Sequence, residues 1–267
     1  MTAPSKTTIP RSVRVDGASP TPWLTYGHVG VVHLGQSAVV LADRRGPLVM
    51  TSAAFGLAPG GVQLGAADFA RLRAEVAAGR TGLAHWTPDF VETVDLRIRS
   101  ASIDPAAVGI LRGALDIRRH AGTLDPSRQR SLAPVLARAA LAGEPPEGPL
   151  LRLIGAGPGS TPAGDDVVVG VLAALRAIGR EDAAGAISRG VLRFLDRTTS
   201  ASRAYLSAAA DGRFAERVHR LVRGLSDESA AMTAAGAAST WGATSGLDLL
   251  AGIVAAVDTP AVARRIA

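Results

Sequence analysis

The chain has 267 residues, a formal charge of +6 and no cysteine, which excludes disulfides, thiolate metal sites and thiolate catalysis. Its length and 47% hydrophobic content suit one large domain or two modest ones. The basicity is almost wholly arginine, since Lys6 is the only lysine. A Walker or Schiff-base lysine is therefore missing from the body of the fold, and at 4% aromatics the arginines lack the stacking partners of single-strand binders. No nucleic-acid partner is expected. The longest apolar runs, 167–175 and 247–257, are too short to span a bilayer, and residues 1–22 hold no apolar h-region. A soluble cytoplasmic protein without a membrane partner is expected.

In chain order, residues 1–11 read as a disordered tail. Residues 12–104 read as a β-rich N-terminal domain, with strand-like runs at 13–15, 29–34, 37–41, 48–51 and 91–98 rich in β-branched residues. Gly35 and Gln36 suggest a tight hairpin and 43–46 another turn, so 13–65 is expected to form an antiparallel meander or small barrel. His28 and His33 are an odd number of residues apart and fall on opposite faces of one strand, where they cannot share a metal. Residues 66–78 have helical composition. The segment 81–90, with His85 and Trp86, reads as an anchored loop.

From Pro105 the texture becomes alanine-rich helices, expected at 105–119, 126–141, 162–179, 181–197, 199–210, 213–224, 227–239, 245–256 and 259–266. Residues 144–149, with three prolines, read as a rigid connector. The fold class is α+β: a β-rich N-terminal part followed by a helical domain, 105–267, that carries the glycine-rich loops.

Chemistry concentrates between Leu153 and Leu175. Gly155, Gly157, Gly159 and Gly164 allow left-handed backbone and close approach, while Pro158 and Pro162 stiffen the path. Thr161 reads as an N-cap and Pro162 as the first helical residue. Asp165 and Asp166 fall in the first turn of an apolar helix. Such a helix start offers unpaired N–H groups to an anion, and two carboxylates beside it call for a cation or an amide amine between them. Asp165 and Asp166 are the candidate catalytic residues and the candidate Mg²⁺ ligands. The structural alternative is that they only cap the helix while the glycines serve packing.

A second stretch repeats this grammar. Matching Gly246 to Gly164, a shift of 82 residues, lays Asp248 on Asp166 and Gly252 on Gly170, which puts two glycine-lined helix starts in one helical layer. Between them Thr199, Ser202 and Arg203 form a hydroxyl- and guanidinium-bearing helix start suited to small anions. With Gly157, Gly159, Ser160, Thr161, Gly164, Thr244, Ser245, Gly246 and Asp248 they make up the candidate binding residues. No histidine lies near either loop, there is no His-rich metal motif, and dinucleotide spacing is missing. Positioning and charge stabilisation remain as the available catalysis.

These residues resemble a bacterial domain family of unknown function that includes the small third subunit of oxamate carbamoyltransferase, from anaerobic allantoin breakdown. Its signature is a Gly-x-Gly-x-Gly-Leu-Thr-Pro-Ser-Gly-Asp-Asp loop before an apolar helix. Gly155, Gly157, Gly159, Thr161, Pro162, Gly164, Asp165 and Asp166 match that loop, and Thr244, Ser245, Gly246 and Asp248 match a later Thr-Ser-Gly-x-Asp element. Ser160 stands in place of the leucine and Ala163 in place of the serine. The resemblance implies a transferase subunit acting with other subunits in phosphorolysis of oxalurate to oxamate and carbamoyl phosphate, with a small anionic carbamoyl or phosphate species as ligand. The alternatives are a non-catalytic assembly subunit and a stand-alone Mg²⁺-dependent phosphate-handling enzyme.

Overall fold

The computed structural model describes residues 12–17, 30–43, 46–79, 89–120, 128–260 and 262. The expected tail at 1–11, His28, His85 and Trp86 lie outside the described residues. The chain divides into two compact units: Met1–Leu96 with Ala215–Arg217, and Arg97–Phe214 with Val218–Ala267.

The first unit holds a six-stranded sheet built from β1 (Ser12–Asp16), β2 (Gly30–Leu34), β3 (Ala38–Asp43), β4 (Gly46–Ser52), β5 (Val62–Leu64) and β6 (Phe90–Val94), in the order β2-β3-β4-β5-β1-β6. The antiparallel meander is confined to β2, β3 and β4. Both the β4–β5 and the β1–β6 pairs are parallel, so the sheet is mixed. The sequence reading missed β5. Three residues between Gly61 and Gly65 show no alternation, because Val62, Gln63 and Leu64 are all buried. Gln63 accepts a 2.7 Å hydrogen bond from Arg14 across the strand pair, which satisfies its buried amide. Helix α1 (Ala66–Ala77) supplies Phe69, Leu72 and Val76 to a core with Val13, Leu41, Met50 and Leu64. His33 is exposed on β2.

The second unit is helical: α2 (Pro105–His120), α3 (Ala133–Ala142), α4 (Glu147–Leu153), α5 (Ala163–Ala177), α6 (Glu181–Arg193), α7 (Ser200–Ala210), α8 (Glu216–Arg223), α9 (Glu228–Ala238) and α10 (Ser245–Val257), with 3₁₀ turns at Arg130–Leu132 and Leu195–Arg197. The first residues of α8 are those counted with the sheet. Helix α4 corrects the expected connector. Its Pro146 is the N-cap and Pro149 lies in the first turn, where N–H groups have no intrahelical acceptor and proline forfeits nothing.

Helices α5 and α10 form the centre of this unit. Every residue of α5 except Arg176 is buried, as is every residue of α10 except Ser245; helices apolar all round belong inside. The two pack through glycine. A Cβ on Gly170 would strike the Leu249 carbonyl, and a Cβ on Gly252 would strike the Val167 carbonyl. The 82-residue shift carries one contact onto the other, so the packing is reciprocal. No helix among the described residues is long and apolar enough to cross a membrane.

Candidate functional site

The loop before α5 is short and closed at its base. Ala156 N–H donates to Leu153 O and Gly164 N–H to Ala156 O, each at 2.9 Å. Gly155, Gly157 and Gly159 have φ of 78°, 119° and 92°, a region that L side chains avoid. At Gly155 there is a second requirement, since a Cβ would strike the Arg197 carbonyl. Gly159 faces open space. The tip, Gly157 to Ser160, is exposed. The N–H groups of Gly157, Gly159, Ser160 and Thr161 donate to no acceptor among the described residues.

Thr161 does not cap α5. Pro162 holds the N-cap position without a side-chain hydrogen bond, and the Thr161 hydroxyl lies 3.2 Å from that of Ser245 at the start of α10. This contact joins the two helix starts, and the Gly170–Gly252 crossing joins the same helices two turns further in. The helices therefore run in the same direction with their N-terminal ends side by side. The two loops are neighbours, as the repeated pattern requires of a shared pocket.

Asp165 is wholly buried. Its carboxylate accepts from Gly155 N–H at 2.8 Å, from Ser202 Oγ at 2.6 Å and from the Thr198 hydroxyl. Thr199 caps α7 through Ser202 N–H at 3.1 Å and donates to Ser160 O at 2.6 Å. The hydroxyl-rich start of α7 is thus tied to the glycine loop at both its base and its tip. Three charge-assisted bonds hold Asp165 as a knot between loop and helix. A purely capping role is too small for it, and a metal-binding role would compete with these donors. Among the described residues no three His, Cys, Asp or Glu side chains group so as to hold a metal ion.

Asp166 and Asp248 are 2% and 0% exposed. Each precedes its crossing glycine by four residues, which puts it on the face turned toward the other helix. Asp248 accepts a 2.6 Å bond from Arg130 Nε, a residue that the motif reading missed. Arg130 stands in the 3₁₀ turn before α3, and 118 residues separate the pair, so no local spacing reveals it. Its side chain is only 8% exposed. Arg203 does not join the group: it is exposed and donates to Leu195 O at 3.1 Å. Thr244 is the N-cap of α10 without a side-chain bond. A Cβ on Gly246 would strike the Ala238 carbonyl, and one on Gly164 the Leu153 carbonyl. A cavity of about 430 Å³ lies at the opposite end of α5, lined by Ala177, Ile178, Gly179 and Arg180 among others.

Residues 153–257 match the family described as oxamate carbamoyltransferase subunit AllH. The match covers the glycine loop, α5, α7 and α10 and agrees with the resemblance drawn from the two motifs. No curated protein and no solved structure matches the chain.

Proposed function

We propose that the chain is a subunit of an oxamate-carbamoyltransferase-type complex and that the loop before α5 holds the anionic end of a carbamoyl or phosphate species. The family match over 153–257 supports the first part. The observation that carries the second is the row of N–H groups at Gly157, Gly159, Ser160 and Thr161 in the loop before α5, exposed from Gly157 to Ser160 and without acceptors among the described residues. In this reading Thr199 and Ser202 keep the loop in place through Ser160 and Asp165. Asp166, at the first turn of α5, accepts from the carbamoyl amine. Thr244, Ser245 and Gly246, joined to the loop through Thr161, form the facing wall. Asp165 is assigned to the framework rather than to the reacting group, because three donors already occupy its carboxylate.

The test is turnover of the complex reconstituted with Asp166→Asn, which keeps side-chain size and removes the charge. Loss of at least about 100-fold in turnover with an unchanged melting curve is expected; wild-type turnover refutes the assignment of Asp166. A second reading, a non-catalytic assembly subunit, is favoured by one observation: Gly155, Gly164, Gly170, Gly246 and Gly252 are all pressed against backbone carbonyls. It predicts that phosphate, oxamate and carbamoyl phosphate leave the melting temperature unchanged, whereas the loop reading predicts a rise with phosphate or carbamoyl phosphate.

A further inference from the structure

Arg130 carries more hydrogen-bonding capacity than its surroundings use. Its Nε is bonded to Asp248, but its Nη2 is buried and has no hydrogen-bond partner among the described residues. A guanidinium N–H removed from water and left unbonded is costly. The turn that carries Arg130 packs against both α5 and α10, and Asp248 is one turn from the start of α10. The guanidinium is therefore held at the first turn of α10, on the side that also packs against α5.

The start of α10 offers a second donor. Thr161 and Ser245 share one hydrogen bond, in which one hydroxyl gives its proton and the other keeps its own to donate elsewhere. A guanidinium N–H and a hydroxyl contributed by the same first turn of α10, through Asp248 and Ser245, suit the two oxygens of a carboxylate. Charge points the same way. Asp165, Asp166 and Asp248 are all buried nearby and repel a dianion more than a monoanion, while the exposed loop tip is open to solvent and accepts phosphate more readily. We infer that Arg130 is a substrate-binding residue that recognises the carboxylate of a small planar monoanion, with Thr161 and Ser245 completing the contact. This rests on the proposed anion-binding role of the loop and adds a second, separate anchor to it.

The experiment is calorimetric titration of the full chain with oxamate, with oxamide as its neutral counterpart, and with inorganic phosphate. Wild-type protein is expected to favour oxamate over oxamide by about tenfold or more. Arg130→Gln should abolish that preference and leave phosphate binding unchanged. Since this variant strands Asp248 as a buried charge, the double variant Arg130→Gln with Asp248→Asn removes both charges together and carries the test if the single one fails to fold. A folded double variant with wild-type affinity and preference for oxamate overturns the inference, as does a wild type that treats oxamate and oxamide alike. Phosphate binding without oxamate selectivity keeps the loop reading and removes Arg130 from it. Arg130-dependent oxamate binding without phosphate binding does the reverse.

Discussion

The starts of α5 and α10 repeat one sequence pattern, yet they are secured by different means. At the crossing they are equivalent, with Gly170 against Leu249 and Gly252 against Val167. At their first turns they diverge. Asp165, which has no acidic counterpart in α10, is held by one N–H and two hydroxyls, whereas Asp248, the counterpart of Asp166, is held by an arginine. The loop before α5 has three left-handed glycines and an exposed tip, and Gly242 is the one left-handed glycine before α10. Packing geometry is shared by the two halves, while the polar groups at their starts differ: N–H groups on one side, a guanidinium on the other.

The shared part should be the most fragile. Gly170→Val and Gly252→Val each drive a side chain into a carbonyl at the centre of the unit, and each is expected to cost more than about 3 kcal/mol, read as loss of cooperative unfolding in urea. A mild effect at one glycine with a severe one at the other would break the equivalence. Next come the acids. Asp248→Ala leaves Arg130 as an unpaired buried charge and should cost about 3–5 kcal/mol. Asp165→Ala strands neutral donors, of which the hydroxyls can turn elsewhere, and should cost about 2–3 kcal/mol. Equal urea midpoints for these two variants would mean that the difference in their partners has no energetic consequence.

Much of this was legible in the sequence because it is local. The glycine spacing, Asp165, Asp166, the echo at Gly246 and Asp248, and the hydroxyls of Thr199 and Ser202 sit within short windows with strong backbone preferences. The α+β division followed from strand-length runs giving way to alanine-rich helices. What escaped reading was non-local or masked by composition. The bond from Arg130 to Asp248 is made only by folding. Helix α4 was hidden by Pro146 and Pro149, which signal a break unless their first-turn placement is known. Strand β5 was too short and too uniformly buried to show a period. The parallel pairings of β5 and β6 depend on chain crossings that no hairpin signal announces.

The smallest expected effect is the most discriminating for the comparison. Thr161 and Ser245 are both partly buried, and their hydroxyls lie 3.2 Å apart, so Thr161→Val and Ser245→Ala should each cost about 0.5–1.5 kcal/mol. The informative quantity is their coupling in a double-mutant cycle. If the hydroxyls bond directly, the double variant loses less than the sum of the singles, because the second substitution finds the bond already gone. A coupling near zero would place the two helix starts side by side without a bond between them. The packing of α5 on α10 around the Gly170–Gly252 crossing would then relate the two halves without that bond, and the hydroxyl proposed to act with Arg130 would have to come from Thr161 or Ser245 acting alone.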